Sequence, residues 1–95
     1  MVVTYFKAAW HHAHPDEPVL LYSELDEDRF EVRTVEEFRD GTRLRADAEH
    51  PDGETGLGQC AVPPDSEIES DPEFSVLTTT EGEFSHVFAS ARYSR

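Results

Sequence analysis

Apolar and polar residues alternate in four separate segments of the first half of the chain, at residues 2–11, 19–25, 29–38 and 43–48. Because successive side chains of a β-strand point to opposite sides of the sheet, each segment is predicted to be a strand with one apolar face. A phase slip is expected near Glu36 and Glu37, where a β-bulge would shift the alternation. This patterning predicts a sheet as the centre of the fold.

Turn residues separate these segments. Pro15 and Pro18 break regular structure between the first two strands. Asp40-Gly41 lies between the third and fourth, and Asp-Gly is a strong signal for a tight hairpin because these residues accept left-handed backbone angles. Residues 49–58 are predicted to form an exposed loop, and residues 59–62 a short edge strand.

The second half of the chain contains the helix signals. Asp65 is expected to cap a single helical turn. Thr80 with Glu83 three residues later forms a capping box, and apolar residues follow it at helical spacing: Phe84, Val87, Phe88 and Ala91. We therefore predict one domain, residues 1–95, of the α+β class: an antiparallel sheet of four to five strands with one C-terminal helix packed on one face.

Charge restricts the partners of this domain. The chain has 8 Lys and Arg against 21 Asp and Glu, a net charge of −13. Binding to nucleic-acid phosphates, or to an anionic membrane, requires a basic surface. We therefore expect no nucleic-acid or membrane partner, and a basic protein where a macromolecular partner exists; acidity that serves solubility alone is the other interpretation. A single cysteine, Cys60, and a start without a basic leader indicate the cytoplasm.

Strand alternation also predicts a candidate binding surface. If the apolar side chains of the strands (Phe6, Trp10, Val19, Leu21, Phe30, Val32, Leu44 and Ala46) face the helix, the opposite face carries most of the basic residues. This arginine-bearing face would consist of Lys7, His11, Tyr22, Glu24, Arg29, Glu31, Arg33, Arg43 and Arg45. Paired guanidinium groups can bind a carboxylate or phosphate. The alternative is an ionic ladder in which Glu24, Glu31 and Asp47 neutralise the arginines.

The sequence contains weaker signals for a metal site, a catalytic nucleophile or a phosphate-binding loop. His11, His12 and His14 lie near Asp16, but adjacent strand residues point to opposite faces and do not converge on one metal ion. No Gly-x-Ser-x-Gly nucleophile motif and no glycine-rich phosphate loop occur. We therefore expect no metal and no cofactor, identify no catalytic residues, and leave enzymatic activity open, with a non-enzyme favoured.

The segment Trp10-His11-His12, followed by Pro15-Asp16-Glu17-Pro18-Val19-Leu20-Leu21-Tyr22-Ser23-Glu24, resembles a family of small bacterial domains of unknown function. The similarity continues through residues 29–36 and 38–41. The resemblance implies a stand-alone bacterial domain, but it supplies no catalytic or binding residues.

Two functions remain from the sequence. The first is a non-enzymatic acidic interaction module that neutralises a basic protein partner, as toxin-immunity proteins do. The alternative is a small enzyme, or a domain that binds an anion or another small molecule on the arginine-bearing face.

Overall fold

A mixed β-sheet runs through the structure, a computed structural model that describes residues 3–49 and 61–93. The described residues form six strands and two helices, which confirms the α+β class. In chain order the elements are β1 (Thr4–Trp10), β2 (Leu20–Leu25), β3 (Glu31–Glu37), β4 (Arg43–Asp47), α1 (Asp65–Glu69), β5 (Phe74–Leu77), α2 (Glu81–Ser90) and β6 (Arg92–Tyr93).

The sheet has the strand order β5-β1-β2-β3-β4-β6. Strands β1 to β4 form an antiparallel meander, as the alternation predicts, and β5 adds antiparallel to the outer side of β1. Strand β6 pairs parallel with β4. The prediction of a purely antiparallel sheet of four to five strands was therefore wrong, because two short strands from the second half of the chain extend both edges.

The predicted hairpin between β3 and β4 is confirmed. Gly41 has φ of 92°, in the left-handed region that favours glycine. The backbone N–H of Phe38 donates to the carbonyl of Thr42 (2.8 Å), and the N–H of Gly41 donates back to the carbonyl of Phe38 (2.9 Å). Asp40 completes the turn by accepting from the N–H of Thr42 at 2.9 Å.

Helix α2 begins where the capping signal predicts. The Thr80 hydroxyl accepts a hydrogen bond from the backbone N–H of Glu83 at 3.1 Å. The Glu83 carboxylate does not close the box; it accepts from the Thr79 hydroxyl (2.6 Å) and from Lys7 (2.9 Å) instead. The cap therefore also ties the start of the helix to β1.

Helix α2 packs on the face opposite to the predicted one. Its buried residues Phe84 and Val87, together with Ala91 directly after its end, form a core cluster with Tyr22 of β2 and Val35 of β3. We call this side of the sheet the helix-covered face. The prediction that Phe6, Leu21, Leu44 and their neighbours meet the helix was wrong, because the aromatic rings of α2 lie over the guanidinium groups of Arg33 and Arg45 on the other face.

The other side of the sheet has a smaller core cluster. Phe6, Ala8 and Leu25 are buried there and pack against Val62, Ile68 and Val76. Helix α1 and the segment before it thus cover one end of this side, which we call the groove face. The helical turn at Asp65 is confirmed, although Pro64 and not Asp65 occupies the capping position. Residues 50–58 of the predicted loop and residues 59 and 60 of the predicted edge strand lie outside the described residues; Ala61 and Val62 are not in a strand.

Candidate functional site

A β-bulge in β3 divides the predicted arginine-bearing face. Glu24 pairs with Arg33 while the next residue, Leu25, pairs with Glu31, so Val32 is an extra residue on β3. The bulge lies earlier than the predicted slip near Glu36 and Glu37. As a result Arg33 lies on the helix-covered face, whereas Glu31 points to the groove face.

Six of the nine predicted surface residues share the helix-covered face: Lys7, Tyr22, Glu24, Arg33, Arg43 and Arg45. Arg33 donates two hydrogen bonds to the Glu24 carboxylate, at 2.7 and 2.9 Å. Arg43 pairs with Glu37 at 2.7 Å. The face is therefore covered by α2 and carries a partial ionic ladder. Glu37 takes part in this ladder, whereas the predicted member Glu31 lies on the other face.

Aromatic rings of α2 separate the arginines of this face. The Arg33 guanidinium lies 4.7 Å from the centroid of the Phe88 ring, and the Arg45 guanidinium lies 4.9 Å from the same ring. The Arg45 guanidinium also lies 4.4 Å from the centroid of the Tyr93 ring of β6. These contacts hold the guanidinium groups apart beneath the helix instead of directing them together at an anion.

Hydrogen bonds in this layer change the ionisation of its side chains. The bond from Arg33 lowers the pKa of Glu24, and the bond from the Tyr5 hydroxyl (2.8 Å) lowers it further, while burial partly opposes both. The same Tyr5 bond raises the pKa of Tyr5. Lys7 has a raised pKa because of its hydrogen bond to Glu83. The arrangement keeps opposite charges paired between sheet and helix.

Arg29 lies apart from the other arginines and fixes a segment of chain. It has a left-handed φ of 65°. Its guanidinium donates to the carbonyls of Val62 (2.9 Å) and Pro63 (2.8 Å) and to the carboxylate of Asp65 (2.9 Å). Arg29 therefore holds the segment that leads into α1 against the start of β3.

The histidines make internal hydrogen bonds. His11, the last of the nine predicted residues, has its Nε2 2.7 Å from the Ser75 hydroxyl of β5. His12 donates from Nε2 to the carbonyl of Pro18 (2.7 Å) and accepts at Nδ1 from the backbone N–H of His14 (2.9 Å). Within residues 3–49 and 61–93, no group of three His, Cys, Asp or Glu side chains is placed to hold a metal ion.

The groove face contains an open groove of 590 Å³ beside α1. Apolar side chains of the sheet and of the α1 segment line it, among them Phe6, Ala8, Leu21, Val62, Ile68 and Phe74. Four carboxylates also line it: Glu31 and Glu36 from β3, Glu67 from α1, and Asp71. No Lys or Arg is among the described residues of the lining, so this groove combines an apolar floor with negative charge.

Two hydroxyl side chains interrupt the apolar floor of the groove. Ser23 and Thr34 are direct partners across β2 and β3. The Ser23 hydroxyl donates to Glu31 Oε2 at 3.1 Å. Thr34 is only 4% exposed, and its hydroxyl has no hydrogen-bond partner in the part of the chain that the structure describes. Buried polar groups are ordinarily paired, so this hydroxyl is an exception.

A second groove of 870 Å³ adjoins the first and shares Leu21, Glu36 and Phe74 with it. Trp10 lines this second groove and stacks on Phe74, with ring centroids 5.9 Å apart. Arg39 and Arg92 line it together with acidic residues. The second groove is therefore lined by charges of both signs, whereas the charged residues in the described lining of the first groove are all acidic.

The sequence singled out Glu31 but placed it on the side of the arginines, and it did not single out the other polar residues of the groove. Ser23 is a polar residue on the side of β2 that Leu21 and Leu25 make apolar, and Thr34 of β3 is its partner across the two strands. That interruption is the one signal that could have identified them. Glu67 and Asp71 come from the α1 segment, whose position against the sheet depends on long-range contacts.

Comparison with known proteins identifies a family but no activity. Residues 4–93 match the family model described as Domain of unknown function (DUF6881), and the chain belongs to that family. No curated protein and no solved structure is detectably similar to it. Among the described residues, no helix is long and apolar enough to cross a membrane.

Proposed function

We propose that this member of the DUF6881 family is a non-enzymatic interaction module, which binds a basic segment of a partner protein in the first groove of the groove face and so neutralises it. The observation that carries the proposal is the lining of that groove: four carboxylates around an apolar floor, with no described basic residue among them. A basic protein partner, immunity-like in its role, and a cytoplasmic location are parts of the same proposal.

Charge complementarity favours a basic occupant. The chain carries a net charge of −13, and its field attracts cationic segments and accelerates their association. Aliphatic or aromatic side chains of the partner would cover the apolar part of the lining, while its Lys or Arg residues would meet the carboxylates that line the groove. An occupant of this kind satisfies both properties of the groove.

The alternative, an anion or small molecule on the arginine-bearing face, has less support. Arg33 and Arg43 are each paired with a carboxylate, and Arg45 donates to the carbonyl of Phe88 at 3.0 Å beneath α2. An anion would have to displace these partners. Among the described residues, no ion pair involves Glu67 or Asp71 of the first groove, so a basic segment would displace no cation from these two carboxylates.

A short capped peptide that alternates lysine and leucine provides a direct test. We expect it to bind the protein at low salt and to bind more weakly as salt rises, because ions screen exposed charges within about 10 Å at 0.1 M. A peptide with glutamate in place of lysine serves as the negative control. Salt-independent binding, or equal binding of the glutamate peptide, would contradict the proposal.

Matched charge variants locate the binding site. The double variant Glu67→Gln/Asp71→Asn removes two carboxylates from the groove, and Glu69→Gln/Asp28→Asn removes two exposed carboxylates that do not line it. We expect the first variant to bind the lysine–leucine peptide about tenfold more weakly and the second to change the Kd less than about twofold. Equal losses in both variants would show that overall charge, and not the groove, attracts the peptide.

A further inference from the structure

The floor of the first groove presents three oxygen-bearing side chains close together. Ser23 and Thr34 face each other across β2 and β3, and such partners have Cβ atoms about 4.5–5.5 Å apart. Glu31 joins them through its hydrogen bond from the Ser23 hydroxyl. The same three residues line the groove, and the Thr34 hydroxyl is buried there.

The Thr34 hydroxyl is the group that points to a ligand. It is buried and unpartnered among the described residues, which costs free energy in the unbound protein. Rotation about its Cα–Cβ bond exchanges the hydroxyl and methyl groups between staggered positions, so the hydroxyl can turn toward a donor in the groove. A donor placed there would satisfy an otherwise unmade hydrogen bond.

A lysine ammonium has the donors that this arrangement requires. It is a compact cation with three N–H donors and no acceptor, whereas a carboxylate and two hydroxyls all offer acceptor oxygens. A guanidinium is planar and matches a carboxylate through two parallel bonds, which leaves hydroxyls on different strands outside its plane. The three-oxygen floor therefore suits an ammonium better than a guanidinium.

We propose that Ser23, Glu31 and Thr34 form a subsite for the ammonium group of one lysine of the partner. This inference rests on the proposed function and specifies which side chain of the basic segment enters the groove floor. Glu31 supplies the opposite charge, and the two hydroxyls set the position of the ammonium group.

Substitution of Thr34 tests the subsite with two readouts of opposite sign. Thr34→Val keeps the shape of the side chain and removes the hydroxyl, and Thr34→Ser keeps the hydroxyl. We expect Thr34→Val to bind the lysine–leucine peptide about tenfold more weakly, because a hydrogen bond to a charged group is lost. The same variant should raise the Tm of the free protein, since it removes an unpaired buried hydroxyl. Thr34→Ser should retain most of the affinity.

The outcomes separate this inference from the function on which it rests. Peptide binding that depends on Glu67 and Asp71 but is the same in wild type and Thr34→Val would overturn the lysine subsite and leave the proposed function intact. Absence of peptide binding to the wild type would overturn both. An arginine–leucine peptide that loses as much affinity on Thr34→Val as the lysine peptide would contradict the assignment of an ammonium group.

Discussion

Arg33 and Glu24 form a two-point ion pair beneath α2, with N–O distances of 2.7 and 2.9 Å. Glu24 is only 8% exposed, and the Arg33 guanidinium lies against the Phe84 and Phe88 rings of α2. The pair therefore fastens the sheet to the helix, and its contribution to stability can be measured directly.

Arg33→Met should lower the free energy of unfolding by about 2 kcal/mol, because it leaves a buried carboxylate without its cation. The loss is smaller than for a fully buried pair, since the Arg33 side chain is 32% exposed. Arg39→Met is the control: Arg39 is exposed and makes a hydrogen bond to the carbonyl of His12. Urea unfolding of both variants checks the prediction, and equal losses would contradict the role of the pair.

The Glu24 carboxylate should make stability depend on pH in the acid range. Its pKa in the folded protein is below the ordinary value of 4.5, chiefly because of the hydrogen bond from Arg33. Its contribution is therefore present above pH 4.5 and is lost as the pH falls through the folded pKa. The difference in unfolding free energy between wild type and Glu24→Gln should shrink below that pH. A difference that is constant from neutral to acid pH would refute this.

The same substitution should have opposite effects at two glycines. Gly41→Ala should destabilise the protein by about 1 kcal/mol, because alanine is strained at φ of 92° even though no atom lies within 4 Å of the added Cβ. Gly82→Ala should stabilise it by roughly 0.5–1 kcal/mol, because alanine favours the helix and meets only an ordinary contact with Thr80. Thermal unfolding gives both values, and shifts of the same sign would be inconsistent with the turn and helix assignments.

Arg29 should hold the wall of the first groove, which is the segment before α1 that contains Val62 and Pro63. Arg29→Met removes three hydrogen bonds that hold the segment before α1. We expect the Val62 amide, which donates to the carbonyl of Arg29, to exchange its hydrogen about tenfold faster. The amide of Phe84 in α2, which donates to the carbonyl of Thr80, serves as the internal control. Unchanged protection at Val62 would show that other contacts hold the wall.

Local sequence signals predicted most elements of the fold. Alternation identified β1 to β4, Asp40-Gly41 identified the hairpin, and Thr80 with Glu83 identified the start of α2. Each of these depends on residues close together in the chain. Strands β5 and β6 were missed because they have only four and two residues and depend on pairing with distant strands.

The side of the sheet covered by α2 could not be predicted from alternation. Both faces carry large apolar residues, such as Tyr22 and Val35 on one and Phe6 and Leu25 on the other. Stacking of Phe84 and Phe88 on the arginines decided between them, and it depends on contacts between the two halves of the chain. Alternation alone assigns Glu31 to the same face as Arg33, but the bulge at Val32 places Glu31 on the groove face.

A titration of labelled protein with the peptide, followed by amide NMR shifts, shows which face of the sheet binds it. With the lysine–leucine peptide at low salt, we expect shifts concentrated at Ser23, Thr34 and Ile68 on the groove face, with little change at Phe84 and Val87 of α2. Shifts centred on α2 and the arginines beneath it would contradict the account, and so would a spectrum that the peptide leaves unchanged.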